Sequence, residues 1–292
     1  MVRILSGETI ARRILSDLKK KKTKKVLSLA VIQVGEKEVS LKYVEEKRKV
    51  AKELGIIFHF VVLPLSVSQT KLEQMVKKIG KDLKVSGMIV QLPLPKKLNT
   101  QRVLDFIPTE KDVDVLSSVS FSDFALGTLP ILPPTVAAIA LLLKETKRKL
   151  EGSKVAVVGA GRLVGLPIAL WLSQQGATIS LIQKGTRNAS QIISRADIIV
   201  SGVGKPSLIT GKMVKKGAVV IDAGTSVEVR RKLTHAGGPA KIRSFWRGDV
   251  DQESVAKKAS FLTLVPGGVG PLTVACLFHN LYIVSNKKFA AM

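Results

Sequence analysis

The sequence predicts an α/β protein with two domains, each built from alternating strands and helices. Three observations predict this arrangement. The chain of 292 residues is longer than one hydrophobic core usually needs. Apolar, β-branched runs alternate with helical periodicity between residues 6 and 92, as in parallel βαβ units. The same alternation starts again at residue 154.

The first series of elements ends at a proline-rich segment. Apolar residues at helical spacing predict its helices, β-branched runs predict its strands, and Ser68 is placed to cap the third helix. Pro93 and Pro95 end the last strand. In order, we predict helix 6–22, strand 26–34, helix 39–54, strand 56–63, a helix from Ser68 to residue 83, and strand 87–92.

The second series follows an irregular connection, which we predict at 117–132 because that stretch is richer in Ser, Gly and Pro. A long apolar helix, 135–149, bridges the two series. In order, we then predict strand 154–158, helix 163–175, strand 178–182, a short helix near Ser190, strands 197–200 and 219–222, and a closing helix 270–285.

A strand that runs into a glycine turn and then a helix gives the strongest indication of a ligand. The segment reads Lys154-Val-Ala-Val-Val-Gly159-Ala-Gly161-Arg-Leu-Val-Gly165. Such glycines let the backbone approach a pyrophosphate, and the helix N-terminus favours its charge. The spacing GxGxxxG is one residue longer than the usual fingerprint, so a tight turn without a ligand is the alternative. The strand–turn–helix context favours a nucleotide.

The next strand indicates which nucleotide is bound. NAD sites usually carry an acidic residue about 20 residues further on, which binds the ribose hydroxyls. Here the segment 180–187 contains no acid, whereas Lys184, Thr186 and Arg187 are suited to a 2′-phosphate. We therefore predict NADP rather than NAD, the alternative being an ordinary basic loop in a basic protein.

Four further segments carry candidate chemistry. Tyr43 and Lys47 are four residues apart, so they share a helix face with Ser40, although a plain surface helix gives the same pattern. Gln91 ends an apolar strand, where α/β sheets bind ligands and a polar group needs partners. The other two are the charged loop 108–114 and the glycine-rich turn 266–273.

Composition narrows the class of protein. Lys and Arg number 47 and Asp and Glu 22, a formal net charge of +25 that suggests an anionic partner. The basic residues are spread along the whole chain, and aromatic residues are only 4%, so we do not expect nucleic acid binding to be the main role. The one cysteine excludes an intramolecular disulfide, and the three histidines lack ligand spacing, so we expect no metal site. We expect no membrane segment.

From about Leu5 to Val284 these motifs resemble the methylenetetrahydrofolate dehydrogenase/cyclohydrolase family. The most specific pieces, in order, are Ser40–Tyr43–Lys47, Gln91-Leu-Pro-Leu-Pro95, Lys111-Asp-Val-Asp114, Val164-Gly-Leu-Pro167, Ala196-Asp-Ile198, Gly202-Val-Gly-Lys-Pro206, Val220-Ile-Asp-Ala-Gly224, Gly248-Asp-Val250 and Pro266-Gly-Gly-Val-Gly-Pro-Leu-Thr273.

The resemblance implies a folate-side α/β domain, 1–140 plus 265–292, and a Rossmann-type NAD(P)-binding domain, 141–264, with the folate between them. It implies oxidation of 5,10-methylenetetrahydrofolate by NADP and hydrolysis of the methenyl product to 10-formyltetrahydrofolate, as in one-carbon metabolism and purine biosynthesis. It also implies a homodimer that forms through the Rossmann-type domain. Separately, the single cysteine, Cys276, fits a reducing, cytoplasmic compartment.

The resemblance also implies roles for individual residues. The catalytic group is Lys47, held by Gln91, with Asp114 accepting hydrogen bonds from the pterin and Tyr43 stacking on the folate. Further substrate contacts are expected from Ser40, Pro266, Gly267, Gly268, Pro271 and Thr273. Cofactor contacts are expected from Gly159, Gly161, Arg162, Leu163, Lys184, Thr186, Val203, Gly204 and Thr225.

Four positions depart from the family's pattern. Val115 stands where the family has glycine, and because valine resists a positive φ, we expect a reshaped pterin loop. The segment 133–138 differs from the family's P-C-T-P-x-G, Gly161 replaces a serine and Gln183 replaces a histidine. These changes leave a second hypothesis open, a catalytically weakened nucleotide-binding or regulatory protein on the same scaffold. The retained Lys47, Gln91 and Asp114 favour an active enzyme.

Overall fold

The structure, a computed structural model, describes residues 1–21, 23, 25–36, 38–232 and 241–286. The chain divides into two compact units. The three-stranded unit comprises Ala11–Ala137 and the chain from Thr273 on, and the six-stranded unit comprises Met1–Ile10 and Ala138–Leu272. The predicted α/β class with two domains is confirmed.

The helices and strands follow the predicted alternation. Up to residue 145 they are β1 (Arg3–Leu5), α1 (Gly7–Lys20), β2 (Ser28–Val34), α2 (Glu38–Glu53), β3 (Ile57–Leu63), α3 (Gln69–Lys81), β4 (Gly87–Val90), α4 (Thr100–Leu104), α5 (Ser118–Ala125) and α6 (Pro134–Glu145). After it they are β5 (Lys154–Val158), α7 (Gly165–Gln174), β6 (Thr178–Ile182), α8 (Ala189–Ile193), β7 (Ile198–Ser201), β8 (Val219–Asp222), β9 (Ser226–Lys232), β10 (Lys241–Arg247), α9 (Gln252–Ala256), β11 (Phe261–Thr263) and α10 (Val269–Ser285).

The three-stranded unit is a parallel sheet in the order β3-β2-β4. Every residue of the central strand β2 is buried, as expected for a parallel sheet that is covered on both faces. Helices α3 and α4 contribute Leu72, Val76, Val103 and Leu104 to the core on one side of this sheet. The predicted cap of α3 is confirmed, since the Ser68 hydroxyl accepts a hydrogen bond from the Lys71 amide.

The six-stranded unit is a second parallel sheet, in the order β1-β11-β8-β7-β5-β6. Strands β7 and β8 are fully buried. The strand order reverses at β5, because β6 lies on one side of it and β7 on the other. In open α/β sheets a ligand binds outside the carboxyl ends of the strands at such a reversal. The glycine turn after β5 is therefore at the position where a nucleotide would be expected.

The connection 117–132 and the N-terminus are among the places where the structure differs from the sequence-based expectations. Residues 118–125 of the predicted connection form helix α5, because the Ser117 hydroxyl accepts the Ser120 amide and Phe124 is buried. Strand β1 was not predicted, and it pairs with β11, so residues 3–5 join the second sheet although we had placed 1–140 in the first domain. Such a short strand has no periodicity of its own, and its partner lies more than 250 residues further along the chain.

Candidate functional site

Lys47 lies on α2 with its side chain directed at the end of β4. Its Nζ donates a hydrogen bond of 2.8 Å to Oε1 of Gln91. The Gln91 amide nitrogen Nε2 donates in turn to the carbonyl of Leu92, at 3.1 Å, and the Gln91 backbone N–H donates to Ile32 of β2. Because both ends of the glutamine amide are engaged, its carbonyl oxygen is held toward the lysine. The predicted pair of Lys47 and Gln91 is thus brought together.

Asp114 lies in a loop that is held on several sides. Asp112, fully buried, accepts hydrogen bonds from the amides of Leu116 and Ser117, the latter at 2.8 Å. The Asn280 side chain of α10 donates to the carbonyl of Val113 at 3.0 Å. These contacts fix the backbone on both sides of Asp114. The role of Asp112 was not predicted, although a second acid two residues before the candidate Asp114 is visible in the sequence.

Lys47 and Asp114 perturb each other electrostatically. Burial lowers the pKa of the Lys47 ammonium, while the Asp114 carboxylate acts in the opposite direction. Burial raises the pKa of Asp114 to about 6; Lys47 lowers it and the neighbouring Asp112 raises it. A lysine with a lowered pKa can exchange protons closer to neutral pH than an exposed one. The arrangement is therefore suited to acid–base chemistry.

Val115 adopts the backbone conformation that we expected it to avoid. Its φ is +58°, in the left-handed region, and its side chain is fully buried. The expectation that valine resists a positive φ at this position is therefore wrong. The hydrogen bonds of Asp112 and the packing of the valine side chain hold the conformation in place of the glycine. The left-handed valine carries strain of about 1–3 kcal/mol, the usual cost for such a residue.

The other predicted substrate contacts fall on two segments. Ser40 and Tyr43 are partly exposed and lie on α2, in the same unit as Lys47. Pro266, Gly267, Gly268 and Pro271 lie in the six-stranded unit at the entry to α10, and Thr273 lies further along α10 in the three-stranded unit.

The glycine turn before α10 is closely packed. Gly267 has a φ of +102°, and its carbonyl accepts a hydrogen bond from the Glu8 amide. A Cβ on Gly7 would lie 1.7 Å from the carbonyl oxygen of Gly268, so two backbone segments meet there without side chains. This contact ties the start of α1 to the start of α10. It supports a rigid entry to the helix as well as a ligand contact.

The predicted cofactor residues converge at the carboxyl edge of the six-stranded sheet. A Cβ added to Gly159 would lie 2.9 Å from the Gly202 carbonyl oxygen and 3.1 Å from a Val203 methyl group. A Cβ added to Gly204 would lie 3.5 Å from the Thr225 carbonyl oxygen. The turns after β5, β7 and β8 are therefore neighbours, as a shared nucleotide site requires.

The turn after β5 has the properties that a pyrophosphate needs. A Cβ on Gly165 would lie 1.7 Å from the Gly159 carbonyl oxygen, so the first turn of α7 packs directly on the glycine turn. Around Gly161 no atom lies within 4 Å of an added Cβ, and Arg162 and Leu163 are exposed beside it. Open backbone at a helix N-terminus fits an anionic group. These residues fit a dinucleotide.

The turn after β6 carries the predicted phosphate contacts. The Thr186 hydroxyl accepts the Gln183 amide at 2.9 Å, and the Thr186 amide donates to the Gln183 carbonyl, so the turn is closed by its own residues. Lys184 lies between them and is exposed. This strand neighbours β5 in the sheet. The basic side chain is thus presented beside the strand that leads into the glycine turn.

Two other kinds of site were sought in the described part of the chain. Among those residues, no group of three or more His, Cys, Asp or Glu is arranged to hold a metal ion. Within the same residues, no helix combines the length and apolar character that crossing a membrane requires.

Comparisons with known proteins identify the family. Residues 5–114 match the tetrahydrofolate dehydrogenase/cyclohydrolase catalytic domain, and residues 133–289 match the NAD(P)-binding domain of the same family. The chain belongs to the tetrahydrofolate dehydrogenase/cyclohydrolase family. It is 37% identical to the bifunctional protein FolD of Geotalea daltonii over 285 residues, which cover 96% of this chain and 97% of that protein.

Solved structures of the family have the same fold. The bifunctional FolD dehydrogenase/cyclohydrolase of Campylobacter jejuni superimposes with a TM-score of 0.86 at 35% identity, covering 98% of this chain and 99% of that one. The Trypanosoma brucei FolD enzyme, solved with NADP cofactor and inhibitor, superimposes with a TM-score of 0.88 at 30% identity and 97% coverage of both chains. The resemblance stated from the sequence is confirmed.

Proposed function

We propose that this protein is a bifunctional folate enzyme. It oxidises 5,10-methylenetetrahydrofolate to the methenyl form with NADP, and it hydrolyses the methenyl form to 10-formyltetrahydrofolate. The observation that carries the proposal is the Lys47–Gln91 hydrogen bond beside the perturbed Asp114 in a member of this family. Family membership alone would not show that the reacting groups of this chain are assembled.

Lys47 is the group that moves protons. In the first reaction the methylene carbon loses a hydride and becomes a cationic methenyl carbon between two folate nitrogens. In the second, water adds to that carbon and releases one proton to solvent; the bond from the carbon to N5 then breaks, and the remaining hydroxyl proton is transferred to N5, which leaves the formyl group on N10. A lysine with a lowered pKa can accept and return that proton. Gln91 keeps the lysine amine in one position while it does so.

Asp114 and Tyr43 bind the folate in this proposal. The pterin ring carries N–H donors, and an ionised Asp114 accepts them. Tyr43 lies one helical turn from Lys47, so its ring is placed to stack on a planar ligand that reaches the lysine. Ser40 and the turn 266–273 add substrate contacts, as the family resemblance implies.

NADP accepts the hydride when it is bound. Gly159, Gly161, Arg162 and Leu163 would hold its pyrophosphate, because the backbone there is open and precedes a helix. Val203, Gly204 and Thr225 would line the same edge of the sheet. Lys184 and Thr186 would bind the 2′-phosphate, which favours NADP over NAD. The three-stranded unit would thus supply Lys47, Gln91, Asp114 and Tyr43 for the folate, while the six-stranded unit would supply the nucleotide contacts and part of the turn 266–273.

The alternative, a catalytically weakened regulatory protein, rested on the altered positions. Val115 no longer supports it, because the loop keeps its left-handed residue despite the missing glycine. We also propose that the enzyme is a cytoplasmic homodimer serving one-carbon metabolism and purine biosynthesis, and that its domains are 1–140 plus 265–292 and 141–264, apart from strand β1. Light scattering in solution tests the dimer by giving twice the chain mass.

The first experiment follows methylenetetrahydrofolate oxidation and methenyl hydrolysis spectroscopically, with NADP and NAD in parallel. We expect turnover with NADP, weaker turnover with NAD, and a loss of hydrolysis of about 100-fold or more in Lys47→Ala, the usual contribution of a general acid–base group. Lys49→Ala is the matched control, because Lys49 is an exposed lysine of the same helix that pairs with Glu46. Full hydrolysis by Lys47→Ala, or no turnover by the folded protein with either cofactor, would overturn the proposal.

A further inference from the structure

Two buried carboxylates support the predicted nucleotide edge without belonging to the predicted contacts. Asp222 ends β8 and is 1% exposed, and Asp249 follows β10 and is 0% exposed. Burying an acid is costly unless its oxygens are well satisfied, so a pair of them needs an explanation. Both lie in the six-stranded unit, and neither has a role in the chemistry that we propose for Lys47.

Asp249 binds the loop that follows β7. Its Oδ2 accepts hydrogen bonds from the Ser201 hydroxyl and the Val203 amide, and its Oδ1 accepts one from the Lys205 amide, all at 2.7 Å. Hydrogen bonds to an ionised acceptor are short and about twice as strong as neutral ones. The anchored stretch 201–205 includes Val203 and Gly204, two of the predicted cofactor contacts. One side chain therefore fixes the backbone of that loop.

Asp222 in turn fixes Asp249. Its Oδ1 accepts the amides of Gly224 and Asp249, at 2.9 and 3.1 Å, and its Oδ2 accepts the amide of Val250 at 2.9 Å. The Asp222 amide donates to the Thr263 hydroxyl of β11 at 2.7 Å. The support thus runs from the sheet to Asp222, from there to the backbone of Asp249, and from its carboxylate to the loop.

Two glycines make this nesting possible. A Cβ on Gly224 would lie 2.1 Å from Cγ of Asp249, and a Cβ on Gly248 would lie 2.0 Å from Oδ2 of Asp222. Any side chain at either position would push a carboxylate out of place. The glycines in the segments Val220–Gly224 and Gly248–Val250 are therefore explained by the two carboxylates and not by turn geometry, since neither has a positive φ.

The loop that Asp249 holds also borders the glycine turn. The Gly202 carbonyl and the Val203 side chain are the nearest atoms to the Cβ position of Gly159, and the Cβ position of Gly202 lies 2.5 Å from a Val164 methyl group. A shift of this loop by a few tenths of an ångström would therefore displace the glycine turn before α7. The two carboxylates therefore support the loop after β7 directly and the glycine turn after β5 through that loop.

We infer that Asp249, held by Asp222, is a positioning residue that keeps the Gly202–Lys205 loop in the shape that binds the NADP nucleotide. The inference rests on the proposed function for the identity of the nucleotide. It makes a specific statement about affinity: the loop is ordered before the nucleotide arrives, so binding does not have to order it. An asparagine at 249 has one acceptor oxygen for three donors, and its own N–H group faces one of them.

The test is NADP binding by calorimetry, together with hydrogen exchange of the 201–206 backbone in the nucleotide-free protein. Asp249→Asn is expected to raise the Kd for NADP about tenfold or more, and to speed exchange at the amides of Val203 and Lys205. Ser201→Ala removes one of the three hydrogen bonds and is the milder variant should Asp249→Asn not fold; it is expected to raise the Kd by less. Circular dichroism checks that each variant is folded at the working temperature.

Asp197→Asn is the matched control. Asp197 also accepts a backbone amide, that of Lys154 at 3.0 Å, and pairs with Lys215, but it lies at the amino ends of the strands. We expect its variant to lose stability while the NADP Kd stays within about twofold. If the wild type binds NADP and both Asp249→Asn and Ser201→Ala bind it equally well, the inference is wrong and the proposed function stands. If the folded wild type does not bind NADP, the proposed function fails and the inference fails with it.

Discussion

At the scale of single residues, Asp112 and Asp114 show how two acids of one loop are given different tasks. The carboxylate of Asp112 accepts hydrogen bonds from the amides of Leu116 and Ser117, whereas that of Asp114 interacts electrostatically with Lys47. Asp112 therefore shapes the loop and adds a negative charge behind the acid that would meet the folate. The chemistry of Asp114 depends on this neighbour as well as on Lys47.

We expect Asp112→Asn to lower the pKa of Asp114. Burial is the larger cause of the raised value and stays, but the like charge that also raises it is removed. The shift should be smaller than that due to burial. A carbon-13 NMR titration of labelled aspartate carboxyls measures it directly. Asp123→Asn, in the neighbouring helix α5, is the control that should leave the titration of Asp114 in place. An unchanged or higher pKa in Asp112→Asn would contradict this account.

At the scale of loops and helices, Val115 presents a conflict between backbone and side chain. Its left-handed conformation is strained, yet its side chain is buried in the core. Glycine would relieve the strain and lose the packing, while alanine would lose packing and keep most of the strain. The order of stability of the two variants therefore reports whether the strain of alanine exceeds the greater chain entropy that glycine loses on folding.

We expect Val115→Gly to be more stable than Val115→Ala, by up to about 1 kcal/mol, although glycine is the smaller residue. Alanine pays about 1–2 kcal/mol in the left-handed region, which exceeds the greater chain entropy that glycine loses on folding. Urea unfolding of the two proteins gives the comparison. The reverse order, with alanine clearly more stable, would mean that the loop does not hold the left-handed conformation in solution.

The first turn of α7 makes a second prediction at this scale. Gly165→Ala should destabilise the protein by about 1–3 kcal/mol or more, because the new Cβ would lie 1.7 Å from the Gly159 carbonyl oxygen and the helix must move. Gly161→Ala should change stability by no more than about 0.5 kcal/mol, since nothing lies within 4 Å of its Cβ position. Thermal unfolding separates the two. Equal losses would show that the turn is packed differently.

At this scale the sequence predicted the bounds of those helices and strands that are long enough to show a periodic pattern of apolar residues. The strand Lys154–Val158 and the strand Thr178–Ile182 have the predicted bounds, and Ser68 caps α3 as expected. Helix α6 ends earlier than predicted, at Glu145, because Thr146 donates to the Leu143 carbonyl and Lys147 turns into a left-handed conformation. The antiparallel pair β9–β10 was not predicted, although Ser226-Val-Glu-Val-Arg230 alternates polar and apolar residues as a strand does.

At the scale of the whole molecule, two acids with raised pKa values, Asp114 and Asp222, influence how stability varies with pH. The pKa of both Asp114 and Asp222 is raised by burial to about 6 from an ordinary value of 3.8. A raised acid pKa means that the native state prefers the protonated form. Each acid therefore contributes stability below about pH 4, and this contribution is lost as the pH rises through about 6.

We expect this loss to be smaller in Asp114→Asn than in the wild type. Two pKa units correspond to about 3 kcal/mol at most, so the free energy of unfolding of the variant should gain up to that amount relative to the wild type between pH 4 and pH 7. Urea unfolding across this range measures the difference. Asp123→Asn serves as the control, with a constant offset from the wild type. A constant offset for Asp114→Asn as well would contradict the raised pKa.

A net charge of +25 first suggests a dedicated binding surface for an anionic partner. The structure favours a different explanation. The described ion pairs are few and mostly exposed, as in Lys149–Glu151 and Lys257–Glu253. Exposed pairs of this kind contribute little to stability. We therefore attribute most of the positive charge to the composition of the surface. The proposed anionic ligand, NADP, would contact only a few of the basic side chains, such as Lys184.

Local patterns in the sequence determine the order of strands and helices and the glycine turn after β5, because periodicity, caps and turns depend on neighbouring residues. They also single out the candidates Lys47, Gln91 and Asp114. Family resemblance then connects those candidates. What the folded chain adds is contact between distant residues: Lys47 with Gln91, Asp249 with the loop after β7, and β1 with β11. The raised pKa of Asp114, the tolerated strain of Val115 and the two nested carboxylates all come from burial, which arises only when segments far apart in the chain pack together.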